Sequence, residues 1–133
     1  MAEKTFKKIG QMKEGSYVLI DDEACRIKSA EKSKPGKHGT AKSRITAIGL
    51  FDDQKRSLLK STGDDGEVPI IEKGTAQVVA KIGDSLNIMD TSTYQTYDVK
   101  APADIPNIAQ GMEAEFIKYG DKIRVVRAKK VES

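Results

Sequence analysis

Ala114-Glu115-Phe116-Ile117-Lys118-Tyr119-Gly120-Asp121-Lys122-Ile123-Arg124-Val125-Val126-Arg127-Ala128 reads as two strands folded back on each other. Short β-type segments lie on both sides of Gly120-Asp121, and a glycine beside an aspartate at such a midpoint is a strong hairpin signal. A second such pair, Gly83-Asp84, divides the predicted strands Thr75–Lys81 and Ser85–Met89. Tyr94–Lys100 completes a set of five. Between the third and fourth, Pro102–Gln110 is expected to form one short helical turn before Gly111. Five strands with an insertion after the third match an OB-type barrel.

The same grammar runs upstream. Tyr17–Ile20, Ala24–Ser29, Ala41–Phe51, Arg56–Ser61 and Glu67–Ile71 read as strands, separated by Asp21-Asp22-Glu23, a glycine loop, Asp52-Asp53-Gln54-Lys55 and Gly63-Asp64-Asp65-Gly66. Aspartate and glycine dominate these breaks because they tolerate turn conformations. Ile45–Phe51 is more apolar than alternating, as in a strand covered on both faces or bent, and Gly49 permits the bend. Helical periodicity is nearly absent. The expected architecture is all-β, with two small barrels at 1–71 and 72–133 and a boundary near Glu72-Lys73-Gly74.

The 133 residues are 38% hydrophobic and 32% charged, which fits two small domains with thin cores. No stretch approaches the ~20 apolar residues that span a bilayer, and Met-Ala-Glu-Lys-Thr-Phe lacks the apolar core of a signal peptide. Cys25 is the only cysteine. That excludes an internal disulfide and points to a reducing, cytoplasmic setting.

The net charge of +3 conceals an asymmetry. Residues 1–71 carry fourteen Lys/Arg against eleven Asp/Glu, while 72–133 carry nine of each. Between Arg26 and Arg44 stand Arg26, Lys28, Lys32, Lys34, Lys37, Lys42 and Arg44, opposed only by Glu31. Positive charge concentrated in this way attracts polyanions, nucleic acid above all. Within that run, Pro35 fixes one φ angle, and Gly36 and Gly39 flank Lys37-His38. A tight, protruding hairpin with Lys37 at its tip is the expected result.

Several chemistries fall away. The loop does not supply the Gly-x-x-x-x-Gly-Lys-Ser/Thr of a phosphate-binding P-loop, and the Gly-x-x-Gly of RNA-clamping KH domains joins helices that are absent here. His38 is the only histidine, so with one cysteine a zinc site of three or four ligands is not expected. The paired acids sit at predicted turns, and Cys25 reads as a small core residue. No acid/base pair marks the chain as an enzyme.

Lys34-Pro35-Gly36-Lys37-His38-Gly39-Thr40-Ala41-Lys42, followed by Ile45–Phe51 and Gln54-Lys55-Arg56-Ser57, closely resembles translation initiation factor 5A, a family related to bacterial elongation factor P. The resemblance spans essentially the whole chain. It implies an N-terminal SH3-like barrel and a C-terminal OB fold. Pro35, Thr40 and an N-terminus without an acidic extension resemble the archaeal members.

The resemblance also implies that the lysine between Gly36 and His38 is modified. In that family deoxyhypusine synthase, using NAD, moves a 4-aminobutyl group from spermidine onto the lysine amine, and a hydroxylase can complete hypusine. The matching position is Lys37, supported in its loop by Pro35, Gly36, His38, Gly39 and Thr40. Lys32, Lys34, Lys42 and Arg44 match the basic surroundings that contact RNA or the modifying enzyme. No dissociable cofactor and no metal are implied. The expected partners are the ribosome near its exit site, rRNA and peptidyl-tRNA, with the chain acting as a monomer.

The second half is less explicit. Tyr94, Tyr97 and Tyr119 remain open between core and base stacking, and Phe116 is assigned to the core. Lys118, Lys122, Arg124 and Arg127 are candidate RNA contacts. A general single-stranded RNA-binding or RNA-chaperone protein is the alternative reading, built from the same two barrels without a special lysine.

Overall fold

The computed structural model describes residues 2–33 and 41–131. Among them the chain is almost entirely strand: β1 (Lys4–Lys8), β2 (Tyr17–Ile20), β3 (Glu23–Lys32), β4 (Lys42–Gly49), β5 (Lys55–Ser61), β6 (Asp65–Pro69), β7 (Glu72–Ile82), β8 (Ser85–Asp90), β9 (Thr96–Lys100), β10 (Glu113–Tyr119) and β11 (Lys122–Lys129). The contacts divide it into two compact units, with the division between Ile70 and Ile71.

In the first unit β2, β3, β4 and β5 form an antiparallel meander, and β1 pairs with β6. The sheet curls over Val18, Ile20, Cys25, Ile27, Ile45 and Ala47, and the 3-10 turn Ile9–Gln11 and its C-cap add Ile9 and Met12. Asp21 and Asp22 both adopt positive φ, 53° and 61°, giving the type I′ geometry that joins β2 to β3 in two residues.

Periodicity does not predict β1, because all five of its residues are exposed. Its order comes from backbone pairing with β6 and two cross-strand ion pairs, Lys4–Glu67 at 3.1 Å and Lys8–Asp65 at 3.0 Å. The strand expected at Glu67–Ile71 instead starts at Asp65 and ends at Pro69.

The second unit is a five-stranded sheet in the order β11-β10-β7-β8-β9, the strand order of an OB fold. Its core holds Ala76, Val78, Leu86, Ile88, Ile108, Met112, Ala114, Phe116 and Val125. Both predicted two-residue hairpins are present, with Gly83 at φ 57° and Gly120 at φ 62°. Gly74 lies opposite Phe116, and the missing side chain leaves room for the ring to cover the strand.

The expected helical turn at Pro102–Gln110 does not form. The segment runs instead through successive turns, with Ile105 N–H donating to Pro102 O and Ile108 N–H to Ile105 O, both at 3.2 Å. Pro106 has no N–H and disfavours an α conformation at Ile105, so a helix is broken at its centre. The segment still delivers Ile108 into the core at 1% exposure.

Three strands gain an extra residue at a register shift: Lys28 in β3, Val79 in β7 and Val126 in β11. Such bulges bend a strand and increase its twist, which lets short sheets curl into barrels. They also reverse which alternate residues face inward. Val79 and Val126 are therefore 40% and 44% exposed despite apolar side chains.

Candidate functional site

The glycine loop connects β3 to β4. Lys34, Pro35, Gly36, Lys37, His38, Gly39 and Thr40 lie outside the described residues, and the structure fixes the two ends from which they depart. Ser33 N–H donates to Lys42 O at 2.8 Å, and Lys42 N–H donates to Ser33 Oγ at 3.2 Å. Thr62 N–H donates to Ala41 O at 2.9 Å, which ties the returning chain to the end of β5. Three strands thus hold the base of the hairpin.

Alternation sorts the basic residues around this base. In β4, Ser43, Ile45 and Ala47 face the core, while Lys42, Arg44, Thr46 and Ile48 face outward. Arg44 lies opposite Glu31, and Arg26 opposite Ile48. Without the bulge at Lys28, Lys32 would share the outward face of Arg26. With it, Lys32 pairs with the buried Ser43 and belongs to the inward-facing set of β3.

The basic set expected at Lys32, Lys42 and Arg44 is therefore divided between two faces. Lys60 of β5, which the sequence does not mark, joins Lys32: both lie opposite Ser43, one on each side. Its signal in the sequence is the i, i+2 phase from Arg56 and Leu58. Ser43 is fully buried, and among the described residues its Oγ has no hydrogen-bond partner.

The far end of the same sheet is closed differently. Arg56 grips Asp52 through two bonds, Nη1 to Oδ1 at 3.1 Å and Nη2 to Oδ2 at 2.8 Å, and Asp52 Oδ1 also accepts from Gln54 N–H at 3.0 Å. The hydrogen bond to Asp52 pushes the guanidinium further up than usual. Cys25 lies beside this pair, and burial raises its thiol pKa while Arg56 opposes the rise. The sulfur donates to Glu23 O at 3.3 Å. A buried, protonated thiol of this kind is a packing group rather than a nucleophile.

In the second unit the candidate cations occupy unlike places. Lys118 Nζ sits 5.4 Å from the Tyr97 ring centroid, and that ring packs against Phe116 with centroids 6.2 Å apart. Its stem therefore covers the barrel core. Arg127 faces Glu115 at 3.6 Å on the surface. Lys122 and Arg124 are half-buried on the face of β11 that alternates away from Val125. Phe116 is a core residue at 3% exposure. Tyr97 and Tyr119 are half-buried, whereas Tyr94 is 73% exposed on a turn at φ 61°.

Among the described residues no group of three or more His, Cys, Asp and Glu is placed to hold a metal ion. No described helix is long and apolar enough to cross a membrane. Residues 3–63 match the family model described as translation initiation factor 5A-like, N-terminal. The chain is 48% identical over 118 residues to translation initiation factor 5A of Methanosarcina barkeri, covering 88% of this chain and 92% of that protein. It is 40% identical over 134 residues to that of Pyrococcus horikoshii, covering 97% of each.

Among solved structures it is similar to eukaryotic translation initiation factor 5A from Methanococcus jannaschii. The TM-score is 0.87 at 37% identity, with 95% of each chain covered. These relatives are named as translation factors, not enzymes. With two curled β units and identity of this extent to archaeal relatives, the chain belongs to the translation initiation factor 5A family.

Proposed function

We propose that the chain acts on the ribosome, near the exit site, through a lysine-borne arm at Lys37. A 4-aminobutyl group from spermidine, transferred to the Lys37 amine by deoxyhypusine synthase, lengthens a flexible stem and adds a second, strongly hydrated cation suited to phosphate contacts. The arm holds the acceptor end of peptidyl-tRNA in a reactive geometry. It thereby promotes peptide-bond formation where synthesis stalls, as at proline runs. Initiation and termination are further steps at which the same positioning applies. The factor supplies orientation, and the chemistry stays with the ribosome.

One observation carries this reading. The decapeptide Ser33–Lys42 springs from a three-strand base whose ends are fixed by Ser33–Lys42 and Thr62–Ala41 hydrogen bonds. A rigid base with a basic loop suits delivery of one side chain into a narrow polyanionic cleft. A general RNA chaperone would spread its affinity over both units, but the second half has no net positive charge.

Peptide mapping by mass spectrometry of protein from its native cells tests the modification. One aminobutyl-type addition, with or without a hydroxyl, is expected on Lys37 and on no other lysine. An unmodified Lys37 in growing cells would refute the arm.

A further inference from the structure

β1 pairs with β6 along one edge, and among the described residues no strand pairs with its other edge. We propose that this open edge is a docking site for an extended acidic segment of a partner protein, which joins β1 and β6 as a third strand. Strand addition of this kind draws affinity from backbone bonds and specificity from alternate side chains.

The bonds at the two ends of the ladder fix which groups face outward. Ile70 N–H donates to Glu3 O, and Ile9 N–H donates to Asp64 O, both at 2.9 Å. Antiparallel alternation then turns the backbone groups of Thr5 and Lys7 toward β6, and those of Lys4, Phe6 and Lys8 away from it. Three N–H and three C=O groups thus line the open edge. Among the described residues nothing bonds to them.

The side chains specify the occupant. Phe6 is 61% exposed and stands between Lys4 and Lys8 on one face of the strand. Lys7 lies on the other face opposite Gly66 and forms no ion pair with a described residue. Glu67 and Asp65 hold Lys4 and Lys8, but they sit on β6, two strand spacings or about 10 Å from an added strand. That distance is about a Debye length, so the incoming strand meets chiefly lysines. An apolar residue opposite Phe6, with acidic residues opposite Lys4 and Lys8, completes the match.

A second copy of the chain does not fit. Antiparallel self-pairing centred on Phe6 sets Lys4 against Lys8 twice, and like charges directly opposite are destabilising. Lysines on an open edge guard against pairing between copies, and here the guard is selective because it admits acidic strands. Nor does the edge suit RNA, since its three carbonyls would face phosphate oxygens without a donor between them.

The test is amide hydrogen exchange of the isotope-labelled full chain, read by NMR. In the free chain the amides of Lys4, Phe6 and Lys8 are expected to exchange faster than those of Thr5 and Lys7. Equal rates would remove the open edge and the proposal with it. The probe is a capped pentapeptide with acidic ends, a central phenylalanine and valines between. At about ten times its dissociation constant it should slow the three outward amides about tenfold. Phe6→Ala should weaken its binding about two- to fivefold, and the peptide arms below need no variant.

Two altered peptides, one with lysine ends and one N-methylated on its backbone, should give no protection. If the lysine-ended peptide protects equally, the acidic selection is overturned. If the N-methylated peptide binds equally, strand addition is overturned. No protection by the acidic peptide at millimolar concentration refutes the site. Protection by a uridine oligonucleotide instead would assign the edge to RNA. Protection that grows with protein concentration alone would assign it to a second copy, and either result overturns the proposal.

Discussion

Replacing Lys37 by arginine is expected to abolish stimulation of proline-rich synthesis while leaving both units folded. Arginine keeps the positive charge, so any account based on general attraction to RNA predicts little change. A guanidinium offers no free amine to accept the aminobutyl group, and its planar fork differs in reach and geometry from a flexible ammonium. If the arm works by orientation, its loss should return the rate to that without factor, an effect on the order of 10- to 100-fold. The substitution lies outside the strands that carry the cores, so its effect on stability should be within about 0.5 kcal/mol. Translation of a proline-run reporter, beside a urea melt of the same protein, checks both halves.

The second large effect is on stability. Phe116→Ala should cost about 3–5 kcal/mol, because it removes a buried aromatic ring at the centre of a small core. A unit of this size has roughly 3–9 kcal/mol in total. The variant is therefore expected to lose most of the folded second unit near room temperature. Gly74, directly across the strand pair, would be uncovered by the same change. Tyr94→Ala, at an exposed and left-handed position, should shift stability by less than about 0.5 kcal/mol. Urea titration of the two variants separates the core aromatic from the surface one. Equal and small effects would show that Phe116 does not anchor the barrel.

The fold was legible wherever local chemistry spoke for it. Tyr17–Ile20 lies between turn residues and packs Val18 and Ile20 into the core, so pattern and structure coincide. Gly83 and Gly120 mark their hairpins because a positive φ is needed at those points. The wholly exposed β1 was not legible, because an edge strand stabilised by pairing and surface ion pairs leaves no apolar period. Nor was the break at Pro106, where one residue overrides an otherwise plausible helical turn.

At the candidate site the loop's composition is explicit in sequence, with glycine, proline and lysine in a specific order, while residues 34–40 lie outside the described ones. The surroundings are not explicit. A single bulge at Lys28 moves Lys32 off the outward face and sets it opposite Ser43, which Lys60 flanks from β5 through an unshifted register. One-residue shifts of this kind reverse every side chain beyond them, and no propensity announces where they occur. Lys118 shows a related limit: a lysine in an alternating strand gives no sign that its stem will lie over Tyr97.

The most direct measurement is the rate of peptide-bond formation on ribosomes stalled at a proline run, with the factor prepared in two forms. One form is treated with deoxyhypusine synthase, NAD and spermidine, and the other carries plain Lys37. The account predicts acceleration by the modified form and little or none by the unmodified one. Equal acceleration by both would contradict it, because the acting group would then be something other than the arm on Lys37.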